Sequence, residues 1–207
     1  MSRRDVTPLR TGRRDGVGRD VIVAAALRTF YEHGYFGTSI RDIANEAGMT
    51  AASLYHHFSS KQDILRLIMT VIMQDALKTT REALLRAGAT PSEQLAGLVR
   101  AWVEFHASRQ IEARVGASEL HCLEPDNRSL VVALRDEQEH MFLSVVQRGA
   151  EDGVFATTHP REAARAVINM GTSVAYWFRS DGNTSPADLA DIYVSLALAT
   201  VESKERP

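Results

Sequence analysis

The sequence predicts an all-α protein of about nine helices, and three observations support that fold class. Apolar residues recur at three- and four-residue spacing through most of the chain, as on one face of a helix. Short runs rich in glycine, proline, serine and aspartate separate these segments. No segment alternates apolar and polar residues over enough positions to build a sheet.

The first predicted helix covers residues 20–33. Ile22, Ala25, Ala26 and Phe30 fall on one face, and Gly34 is a natural C-terminal stop.

Residues 38–58 predict two short helices joined by a tight turn. Ser39 is a candidate N-cap for the first, with Asp42 as its capping-box partner. Gly48 supplies the backbone freedom for the turn, and Thr50 caps the second helix. The first helix has one apolar face, formed by Ile40, Ile43, Ala44 and Ala47. This pattern is typical of the helix-turn-helix of DNA-binding proteins.

The outward surface of the second short helix fits a DNA groove. Its residues are small or hydrogen-bonding, and none is a long acidic side chain that would repel phosphate. They are Thr50, Ala51, Ala52, Ser53, Tyr55 and His56. Such a surface can lie in a major groove.

Six further helices are predicted over residues 60–87, 92–109, 110–123, 128–151, 160–179 and 186–201. Ser60 and Asp63 form a capping box at the start of the first of these. Lys61 lies in its first turn, where a cation opposes the helix dipole and a bound phosphate would relieve the conflict. The last two helices are too apolar for their outer sides to face water.

Charge is distributed unevenly along the chain. The net charge is −2, yet residues 1–61 carry nine Lys/Arg against six Asp/Glu, and residues 62–207 carry fifteen against twenty. Residues 1–18 are expected to form a flexible basic arm. One reading makes this arm a solvated tail. The other places its cations, Arg13 and Arg14 among them, on phosphates or in a minor groove.

The remaining composition sets bounds on class and location. No apolar run reaches 18 residues, so no membrane span is predicted. The N-terminus has no hydrophobic signal segment, and the single Cys122 fits a reducing compartment, so we expect a cytoplasmic protein. The expected domains are the arm at 1–18, a helix-turn-helix domain at 19–66, and a C-terminal helical domain at 67–207.

Residues 38–65 closely resemble the DNA-binding domain of TetR-family transcriptional regulators. The residues that carry the resemblance are Thr38-Ser39, Ile43-Ala44, Ala47-Gly48, Leu54-Tyr55-His56-His57-Phe58, Lys61 and Leu65. The resemblance is firm over 19–66 and elsewhere extends only to helix number and length. It implies a dimeric regulator, usually a repressor, in which residues 67–207 form a ligand-binding and dimerisation domain whose helices hold a small-molecule pocket and the dimer interface.

The resemblance also implies which residues contact operator DNA. Base edges would be met by Thr50, Ala51, Ala52, Ser53 and His56. Phosphates would be met by Thr38, Ser39, Tyr55 and Lys61. For Tyr55, packing against the next helix stays open as a second role. His57 is interpreted as a packing or helix-end residue.

The apolar last two helices predict a homodimer joined through a four-helix bundle, with recognition helices about 34–36 Å apart on DNA. The candidate interface residues are Ala164, Val167, Gly171, Val174, Ala175, Ile192, Tyr193 and Leu196. The alternative is burial of these residues within one chain.

Aromatic, methionine and polar residues on three helices form a candidate ligand pocket. Its candidate residues are Trp102, Phe105, His106, Met141, Phe142, Asn169, Met170, Ser173 and Trp177. Ordinary core packing is the alternative for each. The C-terminal half is similar to regulators that respond to acyl-CoA thioesters, in Arg135-Asp136, residues 149–155, Trp177-Phe178-Arg179, Ser185-Pro186 and Tyr193.

Neither catalysis nor metal binding is predicted. Glu119, His121 and Cys122 lack the spacing of a zinc site, and no nucleophile–base arrangement is evident, so no catalytic residue, metal or cofactor is expected. Two functions remain. One is a repressor released by a small apolar or amphipathic effector, with acyl-CoA as one candidate. The other is a ligand-independent DNA-binding regulator whose body serves only dimerisation or a protein partner.

Overall fold

The structure, a computed structural model, describes residues 16–204. Arg13 and Arg14 lie outside these residues, so their role stays a prediction. Within this range the chain forms nine α-helices and one 3-10 helix, with a single isolated β-bridge. The α-helices are α1 Gly16–His33, α2 Ile40–Glu46, α3 Ala51–Tyr55, α4 Lys61–Arg86, α5 Pro91–Ser108, α6 Gln110–Ser118, α7 Pro125–Glu151, α8 Pro160–Trp177 and α9 Pro186–Thr200.

The predicted all-α class with nine helices is confirmed. One boundary differs instructively. The helix expected to start at residue 128 begins at Pro125, three residues earlier. Proline is tolerated in the first helical turn because its missing N–H would be unpaired there anyway, so Pro125 starts α7 and does not mark a break before it. The segment before it ends as a 3-10 helix, Glu119–Cys122.

Contacts divide the chain into two compact units. The first unit, called the head unit below, runs up to Gln74 and also includes Ile111–Ala133. Its core is formed by side chains of α1 to α4 that are almost fully buried: Ile22, Leu27, Phe30, Ile43, Leu54, Ile64, Leu65 and Ile68.

Two caps and a glycine shape α2 and α3 within the head unit. The Ser39 hydroxyl accepts the backbone N–H of Asp42 at 3.2 Å, and the Asp42 carboxylate accepts the Ser39 N–H at 2.8 Å. The Ser39 hydroxyl also lies 2.7 Å from the Asp42 carboxylate, and hydrogen bonds from the Ser39 hydroxyl and backbone N–H to that carboxylate hold the pKa of Asp42 below its usual value. Thr50 caps α3 by accepting the Ser53 N–H at 3.1 Å. Gly48, at φ +69°, makes the turn between the helices.

The second unit, called the body unit below, comprises Asp75–Gln110 and the residues from Leu134 onward. Here α5 packs against both α8 and α9. The indole of Trp102 on α5 donates a hydrogen bond to the Ile168 carbonyl of α8 at 3.0 Å. It lies so close to Gly171 that a Cβ there would fall 2.3 Å from the ring. The glycine therefore permits close approach of α5 and α8.

Residues 202–204, which follow α9, are attached to the loop between α7 and α8. Phe155 and Ser203 form an antiparallel bridge. On either side of it, the Ala156 N–H bonds the Glu202 carbonyl at 3.2 Å and the Lys204 N–H bonds the Val154 carbonyl at 3.0 Å. These bonds hold the residues after α9 against that loop.

None of the helices described between residues 16 and 204 combines the length and the apolar character that crossing a bilayer requires.

Candidate DNA-binding interface

Helix α3 is fixed by one buried side chain and exposes most of the others. Leu54 is fully buried in the head unit. Thr50, Ala52, Tyr55 and His56 are exposed. Ala51 and Ser53 are half-buried. The exposed surface carries a hydroxyl, a methyl, a phenol and an imidazole, and it has the groups that can contact base edges and phosphates.

Thr38, predicted to contact phosphate, is instead used inside the head unit. Its side chain is only 3% exposed, and its hydroxyl donates to the Gly34 carbonyl at 2.8 Å, with the Thr29 carbonyl also in reach at 3.1 Å. A buried hydroxyl bound to carbonyls at the end of α1 fixes the entry to α2. Ser39, its neighbour, is exposed and keeps the position expected for a phosphate contact.

Lys61 is likewise occupied within the head unit. Its ammonium donates to the carbonyls of Tyr35 at 2.7 Å and Thr38 at 2.6 Å, and it lies 4.0 Å from the centre of the Tyr35 ring. Burial lowers the pKa of this amine. The conflict with the α4 dipole is therefore relieved by two carbonyls of the α1–α2 link, where the sequence argument assumed a phosphate.

Arg19 supports the residues that follow α3, and the sequence analysis counted it only as part of the basic N-terminal charge. Its guanidinium donates to the His57 carbonyl at 2.7 Å and lies 4.3 Å from the centre of the Phe58 ring. The His57 ring packs against Gly18, where an added Cβ would fall 2.9 Å from it. No local sequence pattern predicts the Arg19 contact, because it joins residues 38 positions apart.

Arg41 is a second residue that sequence reasoning missed. It is exposed on α2, and its guanidinium has no ion-pair or hydrogen-bond partner within residues 16–204. Arg28, by contrast, pairs with Glu46 at 2.6 Å. The signal available in the sequence was a long cation inside the first short helix, one position before the capping Asp42.

In the body unit, four predicted pocket residues form a buried aromatic group, defined as Trp102, Phe105, His106 and Phe142. The centroid of the Trp102 ring lies 4.3 Å from that of His106 and 6.2 Å from that of Phe142. Burial lowers the pKa of His106 to about 4, so its ring is neutral at pH 7. Met141, next to Phe142, is half-buried.

The predicted pocket residues on α8 do not share this environment. Asn169, Ser173 and Trp177 are exposed, and only Met170 is half-buried. They are spaced around the side of α8 that faces away from the interior. The structure therefore brings together the candidates of α5 and α7 but not those of α8.

The predicted dimer residues also divide into two sets. Five are buried inside the body unit and so already face their own chain: Ala164, Val167, Gly171, Val174 and Ala175. Ile192 and Leu196 on α9 are about half exposed, and Tyr193 is half-buried. Tyr176 and Trp177, not predicted for this role, are 53% and 51% exposed on α8. The apolar surface open to a partner is thus formed by other residues of α8 than those expected.

Cys122 is a buried thiol beside a carboxylate. Its Sγ donates to the Glu119 carboxylate at 3.3 Å, and burial, with this contact, raises its pKa to about 11. A thiol with so high a pKa is a poor nucleophile. The described residues include no group of three or more side chains placed to hold a metal ion.

Two family descriptions match the chain. "Bacterial regulatory proteins, tetR family" matches residues 22–68, and "Tetracyclin repressor-like, C-terminal domain" matches residues 88–201. The chain is 29% identical over 196 residues to the HTH-type transcriptional repressor KstR2 of Rhodococcus jostii, covering 94% of this chain and 93% of that protein.

Solved structures agree with this assignment. The TetR family transcriptional regulator PfmR from Thermus thermophilus is 32% identical, with a TM-score of 0.78 over 89% of this chain and 99% of that one. AibR, crystallised in complex with isovaleryl coenzyme A and operator DNA, is 24% identical and has the same fold, with a TM-score of 0.79 over 86% of this chain and 97% of that one. The helix-turn-helix geometry and both domain matches show that this chain belongs to the TetR family of DNA-binding transcriptional regulators.

Proposed function

We propose that this protein is a homodimeric repressor that binds double-stranded operator DNA and leaves it when a small apolar or amphipathic effector binds. Acyl-CoA thioesters are the effector class we place first. The observation that carries the proposal is the surface of α3, which is exposed, free of acidic side chains and held in place by Leu54. The repressor name of the relative KstR2 supports the direction of regulation.

The proposed base contacts are made by the residues of α3 and its cap, Thr50, Ala51, Ala52, Ser53 and His56. Ser39 and Tyr55 are the proposed phosphate contacts. We add Arg41, because an exposed arginine with no protein partner in the described residues has its guanidinium available for phosphate or for a guanine edge. Thr38 and Lys61 act on DNA binding indirectly, by shaping the link before α2.

Selection from a random duplex pool, followed by titration of the selected sequence, tests the DNA assignment. Arg41→Ala should weaken binding by roughly tenfold or more. If Arg41 contacts a phosphate, the slope of the logarithm of the binding constant against the logarithm of salt concentration should also become shallower by about one. Arg128→Ala is the matched control, since Arg128 is an exposed cation of the same unit on α7. Equal losses for both variants would refute a specific role for Arg41.

The proposed dimer surface consists of Tyr176, Trp177, Ile192 and Leu196, each about half exposed. Large apolar side chains concentrated on the outer sides of two adjacent helices are typical of a partner interface. The change Ile192→Glu together with Leu196→Glu should yield a monomer in sedimentation analysis and lower operator affinity. Leu85→Glu is the control, because Leu85 is 81% exposed and lies on α4. A wild-type protein that is monomeric at micromolar concentration would refute the dimer.

The effector class is supported by the fold shared with AibR, which binds isovaleryl coenzyme A, and by the buried aromatic group of the body unit. Ligand binding shifts the DNA equilibrium only to the extent that it favours the non-binding conformation. A thermal-shift screen with acyl-CoA esters, free acids and planar aromatics, repeated with operator DNA, tests the proposed effector class. A protein that binds operator but responds to no small molecule would favour the ligand-independent regulator.

A further inference from the structure

Gln138 on α7 is a buried polar side chain whose hydrogen bonding is incomplete. It is only 2% exposed. Its carboxamide oxygen lies 3.0 Å from the Thr80 hydroxyl, whose single proton also has the Ala76 carbonyl at 3.0 Å, and its Nε2 is buried with no partner in the described part of the chain. Buried donors without partners are rare in folded proteins because they lose their bonds to water and gain none. Thr80 meets only one of the two polar ends of the amide, whichever way the amide is turned, and in the orientation of the structure the Nε2 donor is left for water or a ligand to meet.

The position of Gln138 on α7 relates it to the buried aromatic group. Gln138 comes one helical turn before Phe142, so the two share one face of α7, and both are buried. The Phe142 ring meets the Trp102 ring edge-on, with centroids 6.2 Å apart. A molecule bonded to the amide would have these apolar rings beside it.

His106 offers a second polar atom in the same surroundings. Its Nδ1 donates to the Trp102 carbonyl at 2.8 Å, which fixes the tautomer and leaves Nε2 as a lone-pair acceptor. No partner for Nε2 occurs among residues 16–204. A donor from the amide and an acceptor from the imidazole are thus both unused next to aromatic walls.

The arginine that lies against this group is paired with a carboxylate. Arg109, whose guanidinium lies 5.0 Å from the Phe105 ring centre, is paired with Asp75 at 2.9 Å. A buried carboxylate would need an uncompensated cation to repay its loss of hydration. The chemistry of this region suits an uncharged group that carries a hydrogen-bond acceptor.

We propose that the Gln138 carboxamide is an effector-binding group that donates its Nε2 hydrogen to the carbonyl oxygen of an uncharged apolar moiety, the acyl end of a thioester or a ring ketone. This inference rests on the proposed control of the protein by an effector, and it names the atom of the effector that is recognised. Phe142 and Trp102 contact the hydrocarbon part of the ligand. No covalent step is involved.

Three matched ligand pairs that differ in the carbonyl test the proposal. They are octanoyl-CoA with S-octyl-CoA, benzoyl-CoA with S-benzyl-CoA, and 4-phenylcyclohexanone with phenylcyclohexane. Calorimetry on the full-length protein should show at least one pair in which the carbonyl compound binds roughly three- to tenfold more tightly, the effect of one hydrogen bond. The variant Gln138→Met should remove that preference, because methionine has similar volume and no donor.

The control is Gln147→Met, the same change at an exposed position of the same helix, and it should keep the preference. Ligand-free Gln138→Met should melt at the wild-type temperature or above it, since an unpaired buried amide is removed. Gln138→Leu is the second variant. Failure of both variants to fold would overturn the proposal, because it would mean that the amide is needed by the protein itself.

Three further outcomes overturn the proposal. One is equal binding within every pair, which would mean that only a buried water meets Nε2. Another is retention of the carbonyl preference by Gln138→Met. The last is no binding of any of the six compounds to the wild-type protein. Operator binding, measured on the same samples, shows separately whether the proposed DNA-binding function stands.

Discussion

Helices α3 and α5 are stabilised in opposite ways. Helix α5 has eighteen residues, of which eleven are buried, so its own apolar stripe fixes its position. Helix α3 has five residues with one buried side chain, too few to be stable alone, and it is held from outside by the Thr50 cap, Leu54 and Arg19. A helix whose side chains are mostly exposed buries little apolar surface, so its stability depends on contacts with neighbouring residues.

The largest effect should come from the α5 side of this comparison. Trp102→Ala removes a buried ring that packs on Gly171 and bonds Ile168, and it should lower the free energy of unfolding by about 3–5 kcal/mol. Chemical denaturation measures the loss. A change below about 1 kcal/mol would mean that α5 is not the packing centre of the body unit.

His106 should make stability depend on pH. Its pKa is about 4 in the folded protein and 6.5 in an unfolded chain. Between these pH values the imidazole is protonated in the unfolded state and neutral in the folded state. Stability should therefore fall as pH drops from 6.5 toward 4, by about 3 kcal/mol at most, since each pKa unit corresponds to about 1.4 kcal/mol. Denaturation of His106→Phe over the same range should show a flatter dependence, and an unchanged slope would contradict the assignment.

On the α3 side, Arg19→Met should lower the free energy of unfolding by about 1.5–3 kcal/mol, the range for a hydrogen bond to a charged group. The Phe58 contact keeps its apolar component, because methionine is also a long side chain. Operator affinity should fall while its salt dependence stays unchanged, since Arg19 is proposed to position α3 and not to touch phosphate. A decrease of about one in the salt slope would instead indicate direct contact with DNA.

The smallest effect is expected for Thr50→Ala, which removes the α3 cap and should cost about 1 kcal/mol. Because α3 carries the proposed DNA-contact surface and Thr50 is itself a proposed base contact, operator affinity should fall more than global stability does. Thr79→Ala is a control on an exposed threonine of α4. Equal loss of DNA affinity in both variants would contradict a role for Thr50 in DNA binding.

The sequence predicted the features that are determined by residues close together in the chain. Apolar spacing located the helices, and the caps at Ser39 and Thr50 marked the starts of α2 and α3. It also predicted the exposed surface of α3, because a single buried Leu54 fixes which residues turn outward. These are properties of one helix and can be read from spacing alone.

What the sequence could not predict depends on contacts between distant segments. Lys61 and Thr38 were assigned to phosphate because nothing local shows that carbonyls of the α1–α2 link accept their hydrogen bonds. Helix α8 has apolar residues on both sides, so spacing could not show which side meets α5. The fit of Trp102 against Gly171 decides that question, and it leaves Tyr176 and Trp177 outside.

The attachment of Ser203 and Lys204 to the α7–α8 loop bears on how the protein can be handled. The backbone after α9 is hydrogen-bonded as far as Lys204, whose ammonium also donates to the Gly153 carbonyl at 3.0 Å. Truncation at Thr200 would expose the backbone of Phe155 and its neighbours. An affinity tag or fluorescent partner should therefore be joined beyond Lys204, with a linker long enough to leave these bonds intact.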